Sequence, residues 1–239
     1  MSAPQRFVEY LQERGYHPRS SAHGNKLNEL LLKDLFDSCE SFRSAAKSGK
    51  IVYKANYSVG KGSPTSWNLD LVVGPPANSQ KILIGELSEG EPSEIWIGID
   101  QKTVMTEHGK ARRNRQRDLD ALHDTLHRKN PKTVVGALMV LNIADRFQSP
   151  LRQSVTTHKN IERLVRETIE LYKGLPRSSK GSAGLDALGV MVVSHTNLKD
   201  QSTLVVDDPA PQLGDSLHYR TFLEDLCRAF RTRFSVTVT

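Results

Sequence analysis

Nine consecutive residues, Thr133-Val-Val-Gly-Ala-Leu-Met-Val-Leu141, carry no charge and alternate with nothing polar, so they read as a strand buried on both faces. Such a strand needs cover on both sides, and the rest of the chain supplies it in helical and extended patterns. A short amphipathic helix is predicted over Pro4 to Arg14. A stronger one is predicted over Asn25 to Ser44, where Leu27, Leu30, Leu31, Leu35 and Phe36 recur at helical spacing. Ile51 to Val59 and Trp67 to Val73 read as strands of a hairpin around the turn-forming run from Gly60 to Pro64. Further strands are expected at Lys81 to Leu87 and, longer, at Glu94 to Thr106. A helix from Lys110 to Arg128 precedes the buried run, and another spans Thr157 to Tyr172. Gly174 to Gly184 has almost nothing to bury and reads as a mobile loop. A second buried strand, Ala187 to Ser194, follows it. The last helix is predicted from Ser216 to Arg231, capped by Asp215 or Ser216, with a strand-like tail from Phe234 to Thr239. The expectation is an α/β fold with a central mixed sheet flanked by helices. It forms a single domain over 1–239, with a core at about 25–142 and a C-terminal helix-strand-helix extension at about 157–239.

A chain of 239 residues can bury such a core without covalent staples. Cys39 and Cys227 lie far apart, and neither has the Cys/His spacing of a zinc site, so a reducing cytoplasm is the simplest compartment. Residues Met1 to Gly15 lack the apolar core of a signal peptide, and no segment approaches the roughly 18 apolar residues of a membrane span. A formal charge of +6 favours a polyanionic partner. No phosphate-binding Gly-rich loop, nucleophile elbow or His-Glu-x-x-His helix is present.

The chemistry concentrates in Asn68-Leu-Asp70-Leu-Val-Val73 and Ile97-Gly-Ile-Asp100-Gln-Lys102-Thr103. Alternation on a strand sends Asp100 and Lys102, with Gly98, to one face and Ile97, Ile99 and Gln101 to the other. An acid and a lysine on an otherwise apolar strand are costly without partners, and a divalent cation would supply one. With the Trp67 to Val73 strand alongside, Asp70, Asp100 and the Gln101 carbonyl would give hard oxygen ligands suited to Mg²⁺. The alternative is an Asp100–Lys102 ion pair on a solvated strand face, with Asp70 at a strand end.

Asp70, followed after 30 residues by Asp100-Gln101-Lys102, resembles the motif of the PD-(D/E)XK nuclease superfamily, to which many type II restriction endonucleases belong. Leu69 stands where that motif has proline, and Asp100 where glutamate is more usual. The resemblance implies a restriction-endonuclease-like core in which the two acids bind Mg²⁺, with Mn²⁺ a possible substitute, and Lys102 orients or activates the attacking water. It also implies double-stranded DNA as substrate and a homodimer as the working unit. A repair or anti-phage nuclease shares that core, and a DNA-binding module that lost catalysis is the reading of a different class. The superfamily often brings a helix acid to the metal, which makes Glu29 a candidate, although a solvated residue beside the leucine stripe is the preferred account of it. Glu107 and His108 follow the motif closely as candidate ligand or proton carrier, or as ordinary surface.

Next comes Lys110-Ala-Arg112-Arg113-Asn114-Arg115-Gln-Arg117, five cations in eight residues. Cations near a helix start oppose its macrodipole, so the run does not stabilise the helix. It is read as a DNA-binding surface, with Arg112, Arg113 and Asn114 also able to reach base edges, against a solvated face balanced by Asp118, Asp120 and Asp124. Lys173, Arg177 and Lys180 around the Gly-rich loop offer a second clamp or a plain linker.

Overall fold

The computed structural model of the chain describes residues 1–60, 67–77, 84–106, 108–178, 184–198 and 200–234. In chain order the elements are α1 (Ala3–Arg14), α2 (Ala22–Ser38), α3 (Glu40–Lys47), β1 (Val52–Val59), β2 (Trp67–Gly74), β3 (Ser88–Glu89), β4 (Ile97–Val104) and α4 (His108–His127). There follow β5 (Val134–Asn142), β6 (Arg146–Phe147), β7 (Thr156–Thr157), α5 (Ile161–Lys173), β8 (Ala187–Ser194), β9 (Thr203–Val205) and α6 (Tyr219–Arg233).

A mixed seven-stranded sheet has the order β3-β1-β2-β4-β5-β8-β9. The pairs β4/β5 and β5/β8 are parallel, whereas β1/β2, β2/β4 and β8/β9 are antiparallel. Every residue of β5 is buried, as its unbroken apolar run requires. One face of the sheet packs against Phe7 and Leu11 of α1, Leu27 and Leu31 of α2, Phe42 of α3, and Phe222 and Phe230 of α6. The other face packs against Leu119, Leu122 and Leu126 of α4 and Val165, Ile169 and Tyr172 of α5. The C-terminal extension is no appendage, because its strand β8 lies inside the sheet against β5.

Several boundaries move for identifiable reasons. The helix expected over Asn25 to Ser44 is two, because Cys39 is extended (φ −110°, ψ 102°) and fully buried, bonded to Cys227 of α6. That turn aims Phe42 edge-on at Phe230, with ring centroids 5.8 Å apart. Disulfides persist in oxidising surroundings, so cysteine usage no longer argues for a reducing compartment. β4 begins at Ile97 and not at Glu94, since Trp96 turns back to donate from Nε1 to Glu94 Oε1 (2.6 Å) and stacks on Phe234 at 4.5 Å. His218, whose Nδ1 accepts from the amide of Arg220, caps α6. Asp215 does not cap it, being occupied by Gln212 N in the preceding turn (2.6 Å).

Of the strand expected over Lys81 to Leu87, residues 81–83 lie outside the described residues, and Ile84 to Leu87 form a turn with Ile84 exposed. The hairpin tip (61–66), the middle of the Gly-rich loop (179–183) and the tail (235–239) also lie outside them. The described ends of that loop are tied together, with Leu185 N donating to Pro176 O and Ser178 N to Leu185 O, both at 2.9 Å. Among the described residues no helix is long and apolar enough to cross a membrane.

Candidate active site

The site forms where the ladder between β2 and β4 ends. Its register pairs Val73 with Ile97, Val72 with Gly98 and Leu71 with Ile99. Just beyond the last of these pairs stand Asp70 and Asp100, whose carboxyl groups are close enough to act on one another. No main-chain pairing continues there. The amide of Gln101 donates instead to Asp70 Oδ2 at 2.6 Å. β2 departs from simple alternation at this point: Leu71 and Val73 pack on the α2 side, while Val72 and Leu69, three residues apart, both pack on the α4 side. Beside the break, Asn56 of β1 takes a left-handed conformation, φ 52°. Gly98 lets α4 approach β4 closely, since a Cβ there would lie 2.7 Å from Leu126 Cδ1 and that side chain would have to shift.

Asp100 is 0 % exposed, and Lys102 Nζ donates to its Oδ1 at 2.7 Å. Its Oδ2 is buried and finds no N–H donor among the described residues, and its carboxyl lies close to that of Asp70. Burial pushes the Asp100 carboxyl up to about 7, against the pull of the Lys102 ammonium and helped by the neighbouring Asp70 carboxylate. Two carboxylates and one ammonium leave a net negative charge around a group shielded from water. An uncompensated buried charge costs several kcal/mol, so the pair calls for either a shared proton or a cation. The ion pair of the alternative reading is therefore present, but its strand face is not solvated: the Asp100 and Lys102 side chains are 1 % and 17 % exposed.

Asp70 and Lys102 open onto a cleft of about 230 Å³ whose wall includes Tyr16, His23, Thr103 and Arg115. Tyr16 stacks obliquely on His23 with centroids 4.5 Å apart, and its hydroxyl meets Thr103 Oγ1 at 2.9 Å. Burial lowers the His23 pKa, and the Asp70 charge opposes that shift. A larger cleft of about 590 Å³, beside Trp96 and Lys129, shares no lining residue with this one and holds neither carboxylate.

The other sequence candidates divide. Glu29 is turned to solvent and paired with Lys26 (2.8 Å), so α2 does not bring that acid to the site; it brings Asn28. Among the described residues no group of three or more His, Cys, Asp or Glu side chains gathers in a way that could hold a metal. Arg112 bridges to Glu167 of α5 at 2.7 Å and is only 18 % exposed, which removes it from the base-reading surface expected of it. Arg113, Asn114 and Arg117 are exposed, and among the described side chains of the run Arg115 lines the cleft, with Asp118 at 3.3 Å. Glu107 and the side chains of His108 and Lys110 lie outside the described residues. Arg177 is held by Asp225 and Lys173 by Glu170, so neither is poised as a clamp, and Lys180 lies outside the described residues. Sequence reasoning missed Tyr16, His23, Asn28 and Thr103. Of these only Asn28 carried a signal, as an amide in an otherwise apolar helical row. No family model, curated protein or solved structure matches the chain.

Proposed function

We propose that this chain is a metal-dependent endonuclease that hydrolyses phosphodiester bonds of double-stranded DNA, with a restriction-endonuclease-like core and Asp70, Asp100 and Lys102 at its centre. The observation that carries the reading is the closeness of the Asp70 and Asp100 carboxyls beyond the end of the β2–β4 ladder, with a buried oxygen of Asp100 that has no donor among the described residues. Two carboxylates are hard oxygen donors and fit Mg²⁺, or Mn²⁺ in its place. Gln101 would add its carbonyl, because in an extended strand a residue's C=O leaves on the same side as its N–H, here the side of Asp70. Bound there, the ion supplies charge neutralisation at the phosphate and a more acidic water.

The chain's own groups do the rest. Lys102 brings an ammonium to the rim of the cleft, where it orients the attacking water or holds the scissile phosphate, and a bound cation would keep Asp100 ionised beside it. Arg115 offers a phosphate contact from the wall, and Arg113 and Arg117 extend the positive surface along α4. A type II restriction enzyme is the form best matched to the motif, acting as a homodimer so that both strands of a palindrome are cut.

The test is incubation with supercoiled plasmid and varied linear duplexes in Mg²⁺, followed by end mapping. Cleavage should stop with EDTA and return with Mg²⁺. Asp70→Ala and Asp100→Ala should each lower it by several orders of magnitude, in line with losing metal-stabilised charge, while DNA binding survives. Lys102→Ala should abolish cleavage and leave metal binding largely intact, an ammonium having no lone pair to donate. No cleavage of any duplex would make the chain a binding module. Substantial cleavage by both Asp70→Ala and Lys102→Ala would place the active site elsewhere.

A further inference from the structure

Asn28 is 3 % exposed and stands on the row of α2 that carries Leu31 and Leu35 into the core. An amide in that position needs partners, and it has two that matter. Its Nδ2 donates to the main-chain oxygen of Asp70 at 2.8 Å, and its Oδ1 accepts from Gln101 Nε2 at 2.6 Å. The amide of Gln101 closes the circuit on Asp70 Oδ2 at 2.6 Å. Three hydrogen bonds thus join α2, β2 and β4 where the main-chain ladder between the two strands has stopped. Only a side chain that both donates and accepts can complete this circuit: Asp in place of Asn28 would lose the donor, and Leu would lose both.

We infer that Asn28, acting through Gln101, is a positioning residue that fixes the spacing of the Asp70 and Asp100 carboxylates and thereby sets their affinity for a divalent cation. The inference rests on the metal-dependent reading given above. Asn28 touches neither carboxylate, so its effect is on where Asp70 sits and not on the charge of the site. Groups of this kind change metal affinity or activity by about 10- to 100-fold when replaced.

The experiment uses the full chain, Mn²⁺ as the probe, calorimetry for binding, and urea unfolding in parallel. Wild type should bind Mn²⁺ in a manner that Asp70→Ala abolishes; failure of wild type to bind would overturn the metal reading and this inference with it. In the double variant Asn28→Leu/Gln101→Leu the bond between the two amides is lost without leaving either unpaired, while the Asp70 carbonyl loses its donor, so the unfolding midpoint should fall and the chain is assayed below its unfolding transition. Its Mn²⁺ affinity in the folded fraction should fall about 10- to 100-fold. Asn28→Asp, nearly isosteric, keeps the acceptor for Gln101 and should show a loss of the same order. Wild-type Mn²⁺ affinity in the folded fraction of both variants, whatever their midpoints, would reduce Asn28 to a packing role and overturn the inference while leaving the metal reading standing.

Discussion

Behind the Tyr16 wall of the cleft sits His195, 3 % exposed, its Nδ1 at 2.8 Å from Ser202 Oγ and its Nε2 at 3.2 Å from Asn197 Oδ1. Asn197 in turn accepts from Tyr16 N (2.8 Å) and donates to Tyr16 O (3.0 Å), so the imidazole supports the segment that carries Tyr16 to Thr103. Burial pushes the His195 pKa below its ordinary 6.5, against the hydrogen bond that its Nε2 donates to Asn197 Oδ1. The folded chain therefore holds the ring neutral where the unfolded chain already takes a proton. Its stability contribution is complete above about pH 6.5 and is lost as the pH falls below that value. Asp100, whose pKa is raised, acts in the opposite sense and gains as the pH falls. His195→Asn isolates the histidine, since the Asp100 effect is common to both proteins. Urea unfolding should show wild type losing its advantage over His195→Asn between about pH 7 and pH 5. A gap that stays constant across that range would mean the ring is not held neutral by burial.

At the scale of elements, α4 shows how far a charge pattern can be read before the neighbouring helix is known. Five cations in eight residues announced a polyanion surface, but Glu167 of α5, 55 residues from Arg112, takes that arginine for a bridge between helices. Arg112→Ala should cost no more than about 1 kcal/mol of stability and leave the salt dependence of DNA binding unchanged. Arg113→Ala/Arg117→Ala should weaken binding to all sequences and flatten the slope of log affinity against log salt by about one unit per lost phosphate contact. An unaltered slope in that double variant would return the run to a solvated face. The same contrast governs what was legible elsewhere. Unbroken apolar runs located β5 and β8, and helical spacing of leucines located α2. The break at Cys39 depends on α6, distant in sequence, and the loss of alternation at Asp70 depends on β1 and on Gln101, so no local pattern could announce either. β3, of two residues, and β9, of three, are too short to show a period at all. That Asp100 and Lys102 meet was legible because residues two apart on a strand share a face. Of the residues around them, Tyr16 and His23 came from a loop and a helix start, where sequence spacing does not fix direction, and Asn28 and Thr103 from elements whose facing neighbours lie far off in sequence.

The molecule as a whole is one sheet between two helical layers, and the Cys39–Cys227 disulfide ties two helices of the same layer across a separation of 188 residues. A link over so long a stretch restricts the unfolded chain strongly. The chain-entropy argument allows up to about 5 kcal/mol, though measured values cluster near 2–4. The folded state does not depend on the bond for its shape, since α6 is also held by Phe222, Leu226 and Phe230 in the core and by Arg233, which reaches Asp186 and the Thr133 carbonyl. The carboxylate pair is built on β2 and β4, not on α6. Reduction, or Cys39→Ser/Cys227→Ser, should therefore lower unfolding stability by about 2–4 kcal/mol while leaving far-ultraviolet circular dichroism and divalent-cation affinity unchanged. Denaturant unfolding with and without a reductant measures the first, and Mn²⁺ calorimetry on the reduced chain measures the last. Two titratable thiols in the unreduced, denatured protein would refute the pairing. Loss of cation binding on reduction would show instead that α6, through α2 and Asn28, reaches the site after all.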